Sequence, residues 1–174
     1  SFAQETANST QAATVSRALG ILVAQIAMDP IALRQRGLSR AEARAAAGTG
    51  AALTLLRARL DAAATLAEGA PIEGRAALLG RATGTGADPG AAFLLSTSAA
   101  SQRFRASVVG LGLYVALRER FDEDFFRNPR GVEPVRGAAA RGGTLSAEAF
   151  LGEVDGAASA AVERLGELAE LALR

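Results

Sequence analysis

The chain has 174 residues, enough for one domain with a sizeable core, and its 19 basic residues, all arginine, nearly balance 18 acidic ones. A net charge of +1, with no dominant block of like charge, argues against a nucleic-acid-binding surface. The absence of Cys and His excludes a disulfide framework, a thiolate nucleophile, and the commonest metal ligand and general base.

Alanine makes up about a quarter of the chain, while β-branched and aromatic residues are sparse. This composition predicts an all-α fold, an irregular multi-helix bundle of about six to eight helices. No internal repeat or long linker divides it, so residues 1–174 are expected to form a single helical domain. The longest apolar runs, residues 18–28 and 106–117, fall well short of the roughly 20 residues that cross a bilayer, so no membrane span is expected.

The first predicted elements are a helix over residues 9–28 and a short helix over residues 30–36. Asp29-Pro30 ends the first helix, and Gly37 closes the second. Apolar residues recur at helical spacing along the first helix.

A capping box at Ser39 and Glu42 predicts the start of a third helix. In such a box the Ser hydroxyl and the Glu carboxylate satisfy backbone amides that the first turn leaves without partners. This helix is expected to continue to about residue 68, followed by a shorter helix over residues 71–81.

The longest predicted helix covers residues 90–121, with Asp88 as its cap and Pro89 in its first turn. A Ser-Thr-Ser run at residues 96–98 could interrupt it, because these side chains compete with helical hydrogen bonds. The closing elements are predicted over residues 131–140, 146–154 and 156–174.

A distinctive stretch covers residues 117–131, Leu-Arg-Glu-Arg-Phe-Asp-Glu-Asp-Phe-Phe-Arg-Asn-Pro-Arg-Gly, followed by the segment 143–154, in which Ser146 opens a short helix. It resembles the C-terminal helical region of the zinc metallopeptidases typified by oligoendopeptidase F and thimet oligopeptidase, especially their bacterial relatives. Segments 18–30, 53–63 and 101–114 resemble other helices of that region in the same order.

The resemblance implies one metal-binding residue, Glu5. The segment Phe-Ala-Gln-Glu-Thr-Ala-Asn-Ser-Thr, residues 2–10, is similar to a family segment whose glutamate is the third zinc ligand, although the spacing to Ser9 is one residue longer here. A catalytic zinc needs three protein ligands and an open position, so the family's His-Glu-x-x-His motif would have to lie upstream of Ser1 or in another chain. Zinc is therefore expected only in a larger assembly. Alternatively, Glu5 is an acid favoured by the dipole of a helix N-terminus.

The resemblance also places Arg103 and Arg105 on a helix that lines the family's substrate cleft, where they could bind a peptide carboxylate or backbone. The other interpretation is that both are ordinary surface cations. The glycine-rich stretch that matches the family's oxyanion-stabilising segment, residues 84–98, lacks the expected Tyr and His. The only tyrosine, Tyr114, is predicted to be a core ring with its hydroxyl at the edge.

Two further patterns have structural interpretations. Gly84-Thr-Gly-Ala-Asp-Pro-Gly90 is expected to be a turn, because it lacks the Lys of a P-loop and the preceding strand of a dinucleotide-binding loop. The acidic residues 122–124 are expected to pair locally with neighbouring arginines, while Phe125 and Phe126 anchor this corner in the core. The arginines concerned are Arg118, Arg120, Arg127 and Arg130.

Two hypotheses about function follow. In the first, the chain is a non-catalytic C-terminal portion or subunit of an oligoendopeptidase-like zinc metallopeptidase, which forms a peptide-binding cleft only with a zinc-bearing partner. On its own it would not be an enzyme. In the second, it is a self-standing, degenerate helical module for protein binding or oligomeric assembly. Both predict a partner, either another polypeptide or a second copy, and the first expects Leu22 and Ile26 to lie partly exposed until that partner covers them.

Overall fold

The computed structural model describes residues 2–86, 88–92, 99–141 and 144–173, and for residues 2–9 and Ala91 it describes the backbone only. The described residues form helices joined by turns and contain no strand, which confirms the all-α, multi-helix fold. In chain order the helices are α1 (Phe2–Ala27), α2 (Pro30–Gln35), α3 (Arg40–Leu66), α4 (Ile72–Thr83), α5 (Pro89–Ala92), α6 (Ala100–Phe121), α7 (Pro129–Arg141), α8 (Ala147–Glu153) and α9 (Ala160–Ala172).

The helix boundaries near residues 29 and 39 follow the predicted capping chemistry. Asp29 Oδ1 accepts a hydrogen bond of 2.7 Å from the backbone N–H of Ile31 at the start of α2. The Ser39 hydroxyl accepts from the Glu42 N–H, and the Glu42 carboxylate accepts from the Ser39 N–H, which completes the capping box of α3. Gly37 follows α2 with φ of 96°, a left-handed conformation that glycine adopts without a steric penalty.

Three predicted boundaries were wrong. The first helix begins at Phe2, seven residues before the predicted start. The segment predicted as one helix over residues 90–121 contains the four-residue α5 and the 22-residue α6, and Ala99 directly before α6 has a left-handed φ of 53°. The suggested break at residues 96–98 lies outside the described residues. The last helix also starts later than predicted, at Ala160.

Helix α6 is the central helix of the bundle, and α1, α3 and α9 pack around it. Its residues from Ala106 to Leu117 are almost all buried, so the apolar run is a core helix rather than a membrane segment. No helix in the described part of the chain is long and apolar enough to cross a bilayer. Helices α1 and α6 approach each other closely at Gly110, where an added Cβ would lie 2.7 Å from the carbonyl oxygen of Ala18.

The main core cluster joins residues of α1, α6 and α8 and includes Leu22, Leu113, Leu117, Phe125 and Phe150. The expectation that Leu22 lies partly exposed was wrong, because its side chain is 0% exposed. Ile26 is partly buried against the same cluster. Helix α6 covers Leu22, whereas Val23 on the same helix is 58% exposed. The fragment hypothesis stays a prediction.

The corner after α6 is anchored as predicted. Phe125 is buried in a 3₁₀ turn over residues Phe125–Arg127, and its ring meets Tyr114 edge to face at a centroid distance of 5.7 Å. Phe126 packs at the edge of the same cluster. At Asp122 the backbone has φ of 71° and ψ of 173°, a region that is essentially restricted to glycine.

Candidate functional site

The two arginines with a predicted role in peptide binding lie on α6, and each pairs with a carboxylate of this chain. Arg103 Nε donates to Asp61 Oδ1 on α3 at 2.9 Å, and both side chains are largely buried. Arg105 pairs with Glu148 of α8 at the surface. The hydrogen bond from Arg105 lowers the pKa of Glu148 and raises that of Arg105. Peptide binding by these arginines stays a prediction, and a ligand would have to displace these carboxylates.

Glu5 lies in the first two turns of α1, and its side chain is outside the described part of the structure. Within the described residues, no group of three His, Cys, Asp or Glu side chains could hold a metal ion. The expectation that Glu5 joins a zinc site with ligands from another chain therefore stays a prediction.

A buried polar network centres on Tyr114. The sequence predicts a core ring with its hydroxyl at the edge, and the ring is in the core, but its hydroxyl is buried as well. The Tyr114 hydroxyl donates a hydrogen bond of 2.5 Å to Asp29 Oδ2. Since the other oxygen of Asp29 caps α2, this one carboxylate ties α6 to the turn between α1 and α2. Burial, followed by the hydrogen bond to Asp29, raises the pKa of Tyr114 well above its usual range.

Arg164 of α9 covers the other side of this tyrosine. Its guanidinium carbon lies 4.2 Å from the centre of the Tyr114 ring, in cation–π contact. Its Nε and Nη2 donate to Gln25 Oε1 of α1 at 3.2 and 3.1 Å, and the Gln25 amide nitrogen donates to Thr54 Oγ1 of α3 at 3.2 Å. Arg164 is 8% exposed, so a buried cation of α9 joins α1 and α6, and Gln25 extends this network to α3.

Glu167 of α9 balances two arginines of this network. It accepts from Arg164 Nη1 at 2.7 Å and, through both of its oxygens, from Arg118 of α6 at 3.1 and 2.5 Å. Burial alone would raise the pKa of Glu167, but the hydrogen bonds from both arginines outweigh burial and hold it below its ordinary value. Its hydrogen bond also raises the pKa of Arg118.

This network lines a cavity of about 330 Å³, which we call the polar cleft and define by Asp29, Tyr114, Arg118, Arg164 and Glu167. In the described part of the chain, no buried side-chain nitrogen or oxygen lacks a hydrogen-bond partner. The pKa of Tyr114 is raised and that of Glu167 is lowered, so both lie further from pH 7 than usual. Neither group is therefore suited to exchange a proton near pH 7. The hydrogen bonds around the polar cleft therefore hold α1, α2, α6 and α9 together.

The expected charge pairing at the acidic corner is only partly correct. Asp124 pairs with Arg127 at 3.3 Å, as predicted from their proximity in sequence. Arg118 pairs instead with Glu167, and Arg120 pairs with Asp155 at 3.2 Å. The end of α6 points these two arginines toward α9 and the turn before it, which sequence proximity does not reveal.

A second cavity, of about 840 Å³, lies between the first half of α3 and the C-terminal end of α9. Arg40 and Arg44 line it together with small or apolar residues, and a smaller adjoining cavity of about 260 Å³ adds Arg34. We call this surface the arginine cleft. It is lined by Arg34, Arg40, Arg44, Ala41, Ala45, Gly48, Ala52, Leu171 and Ala172, with Thr49 at its side.

Charge is uneven along this part of the chain. Residues 30–52 carry four arginines and a single glutamate, Glu42, whose carboxylate is engaged in the capping box. Among the residues that the structure describes, no carboxylate pairs with Arg34, Arg40 or Arg44. The sequence shows the arginines, but the cleft depends on α9 packing against α3, about 120 residues further along the chain.

The chain was compared with known proteins by sequence and by structure. No family model, curated protein or solved structure matches it. The resemblance to zinc metallopeptidases thus stays a hypothesis from the sequence motifs alone, and function has to be argued from the surface itself.

Proposed function

We propose that the chain is a helical protein-binding module whose arginine cleft takes an acidic, amphipathic helix of a partner protein. The observation that carries this proposal is the set of three arginines without a carboxylate partner around a cleft otherwise lined mainly by small and apolar side chains. Of the two hypotheses from the sequence, this geometry supports the one in which the chain is a helical module for protein binding.

The lining favours a helix as ligand. The alanines of α3 that line the cleft present little more than backbone and Cβ atoms, which lets a second helix approach closely, as in helix-in-groove recognition. Gly48 is the point where α9 of the same chain approaches α3, because an added Cβ there would lie 3.2 Å from the carbonyl oxygen of Leu171. The arginines at the rim would then pair with acids on the polar side of that helix. Such pairs steer association and fix register more than they add affinity.

Other anionic ligands fit less well. Nucleic-acid surfaces combine a longer basic track with aromatic side chains that stack on bases, and among the residues that the structure describes no aromatic side chain lines this cleft. The net charge of +1 for the whole chain also argues against nucleic acid as the ligand.

The test uses a synthetic acidic amphipathic helix, with leucine and alanine on one face and glutamate on the other, followed by fluorescence anisotropy. We expect binding by the chain, with at least a tenfold loss for the variant Arg40→Glu, Arg44→Glu. The matched control is Arg17→Glu, Arg57→Glu, which makes the same charge change at exposed positions of α1 and α3 outside the cleft.

A second peptide with lysine in place of glutamate should not bind. Binding that is equal for both peptides, or unaffected by the Arg40 and Arg44 changes, would overturn the proposal. Far-ultraviolet circular dichroism of each variant checks that the helices are intact.

A further inference from the structure

The smaller cavity of the arginine cleft lies where α2, α3 and α9 meet. Leu171, near the end of α9, lines both this cavity and the larger one. It also packs against a small apolar cluster of Leu33, Ala43 and Ala47. Because Ala43 belongs to that cluster and to the lining of the smaller cavity, the cavity is in direct contact with the core between α2 and α3.

This cavity, which we call the anchor pocket, combines an apolar interior with basic residues at its edge. Ala43 is 1% exposed, and Pro30, Ile31 and Leu171 are partly buried, whereas its three arginines are exposed. A side chain that entered the pocket would therefore contact apolar atoms inside and guanidinium groups at the entrance. The anchor pocket is lined by Pro30, Ile31, Arg34, Arg40, Ala43, Arg44 and Leu171.

The volume of the anchor pocket, about 260 Å³, suits one large side chain of a protein ligand. Pockets that take a whole small molecule usually measure about 300–1,000 Å³. In protein interfaces, most of the binding free energy comes from a few large side chains that enter such pockets, with polar contacts around them. The partner helix is thus expected to insert one large apolar residue here.

The arginines favour an aromatic ring over an aliphatic side chain. Guanidinium groups stack on the faces of aromatic rings, where the cation is attracted by the π electrons. Among the described residues, Arg34, Arg40 and Arg44 take part in no ion pair and no cation–π contact of their own chain. They are therefore free to contact both a ring in the pocket and acidic side chains beside it.

We propose that the partner helix inserts an aromatic side chain, such as phenylalanine, into the anchor pocket and carries acidic residues one turn away from that ring. The spacing follows from α3, because Arg40 and Arg44 are four residues apart and lie one turn from each other. This inference rests on the proposed function of the arginine cleft and names the sequence pattern of its ligand.

The experiment measures fluorescence anisotropy of acidic helical peptides that differ at one central position of the apolar face. With alanine there, binding should be about tenfold weaker than with phenylalanine, because the large side chain is lost. With cyclohexylalanine, binding should be about threefold weaker than with phenylalanine, since size and apolar character are kept but the π face is lost. A peptide of the same composition, with phenylalanine moved two positions to the opposite side of the helix, should bind like the alanine peptide.

Two variants of the full chain locate the ring. Leu171→Ala removes one wall of the anchor pocket and should reduce the ratio of affinities between the phenylalanine and alanine peptides to about threefold or less. The matched control is Leu165→Ala, which truncates another partly buried leucine of α9 that packs on the core but does not line the arginine cleft. In this control the ratio should stay at about tenfold. Circular dichroism and thermal unfolding check that both variants are folded.

Equal binding of the phenylalanine and alanine peptides to the parent chain would overturn the inference, as would cyclohexylalanine binding as tightly as phenylalanine. A ratio that is the same in Leu171→Ala and Leu165→Ala would place the ring elsewhere, and this too would contradict it. The proposed function fails separately. If every peptide binds equally but loses affinity in Arg40→Glu, Arg44→Glu, the cleft is a binding site without an aromatic anchor. If that charge reversal has no effect on any peptide, the cleft is not the binding site.

Discussion

Tyr114 and Asp29 are 85 residues apart in the chain, and a hydrogen bond of 2.5 Å joins the phenol hydroxyl to one carboxylate oxygen. The other carboxylate oxygen caps α2. One acidic side chain thus fixes both the start of a short helix and the position of that helix against the centre of the bundle.

Spectroscopic titration of the single tyrosine should report this burial directly. Burial and the hydrogen bond to Asp29 raise the folded-state pKa of Tyr114, whereas an unfolded tyrosine titrates near pH 10. Phenolate absorbance should therefore be absent from the folded chain at about pH 10 and present in urea. Because the folded pKa is the higher one, this contribution to stability is complete below about pH 10 and is lost as the pH rises toward the folded value. An ordinary titration in the folded chain would contradict the buried hydrogen bond.

Removing the Tyr114 hydroxyl should destabilise the fold without changing its shape. In Tyr114→Phe the ring stays in the core, but Asp29 Oδ2 loses its buried donor, which costs about 1–3 kcal/mol of unfolding free energy. Urea denaturation measures this value. Phe126→Leu, at the edge of the same cluster, is the apolar comparison, and the two variants should differ in their alkaline behaviour, because only the first removes the group that titrates.

The contact between α1 and α6 should be intolerant of a single methyl group. In Gly110→Ala the new Cβ would lie 2.7 Å from the backbone oxygen of Ala18 and 2.8 Å from the Cβ of Ile21, so the two helices must separate. Overpacking of this kind costs about 1–3 kcal/mol. In Gly20→Ala nothing lies within 4 Å of the new methyl group, and the better helix propensity should stabilise the chain by about 0.5–1 kcal/mol. Equal effects in thermal unfolding would contradict the close approach.

Arg103 and Arg105 should differ sharply in their contribution to stability. Arg103→Gln leaves the nearly buried carboxylate of Asp61 without its cation, with an expected loss of about 1–3 kcal/mol. Arg105→Gln breaks a surface pair with Glu148, for which the expected loss is about 0–1 kcal/mol. Chemical denaturation of both variants tests the difference. A larger loss for Arg105→Gln would show that the burial of these pairs is misassigned.

Strain at the end of α6 should be relieved by glycine. The conformation of Asp122 costs a residue with a Cβ about 1–3 kcal/mol, and glycine adopts it freely. Asp122→Gly should therefore raise the unfolding free energy by about 1 kcal/mol. This net value is smaller than the relieved strain because glycine also adds conformational entropy to the unfolded chain. Asp124→Gly, where φ is −106°, should lower it. A loss of stability in both variants would rule out strain at Asp122.

The sequence by itself determined the fold class and most helix boundaries, because these depend on local chemistry. A cap such as Ser39 satisfies amides within three residues, and Pro30 fixes the first turn of α2 whatever lies elsewhere in the chain. The predicted boundaries were wrong where the sequence has no strong signal for the start of a helix, as at the beginning of α1. The apolar run around Tyr114 and the aromatic character of Phe125 also placed these two residues in the core.

Only the tertiary structure decided which charges pair and where a surface opens. Proximity in sequence favoured the acids at residues 122–124 as partners of Arg118 and Arg120, but a helix end points its side chains toward whatever packs beside it, here α9 and the turn that precedes it. In the same way Leu22 is buried because α6 packs beside it, and Arg40 and Arg44 line a cleft because the end of α9 forms its other wall. The physical reason is range: capping and helix propensity act over a few residues, whereas burial and ion pairing depend on helices that meet only after the chain has folded.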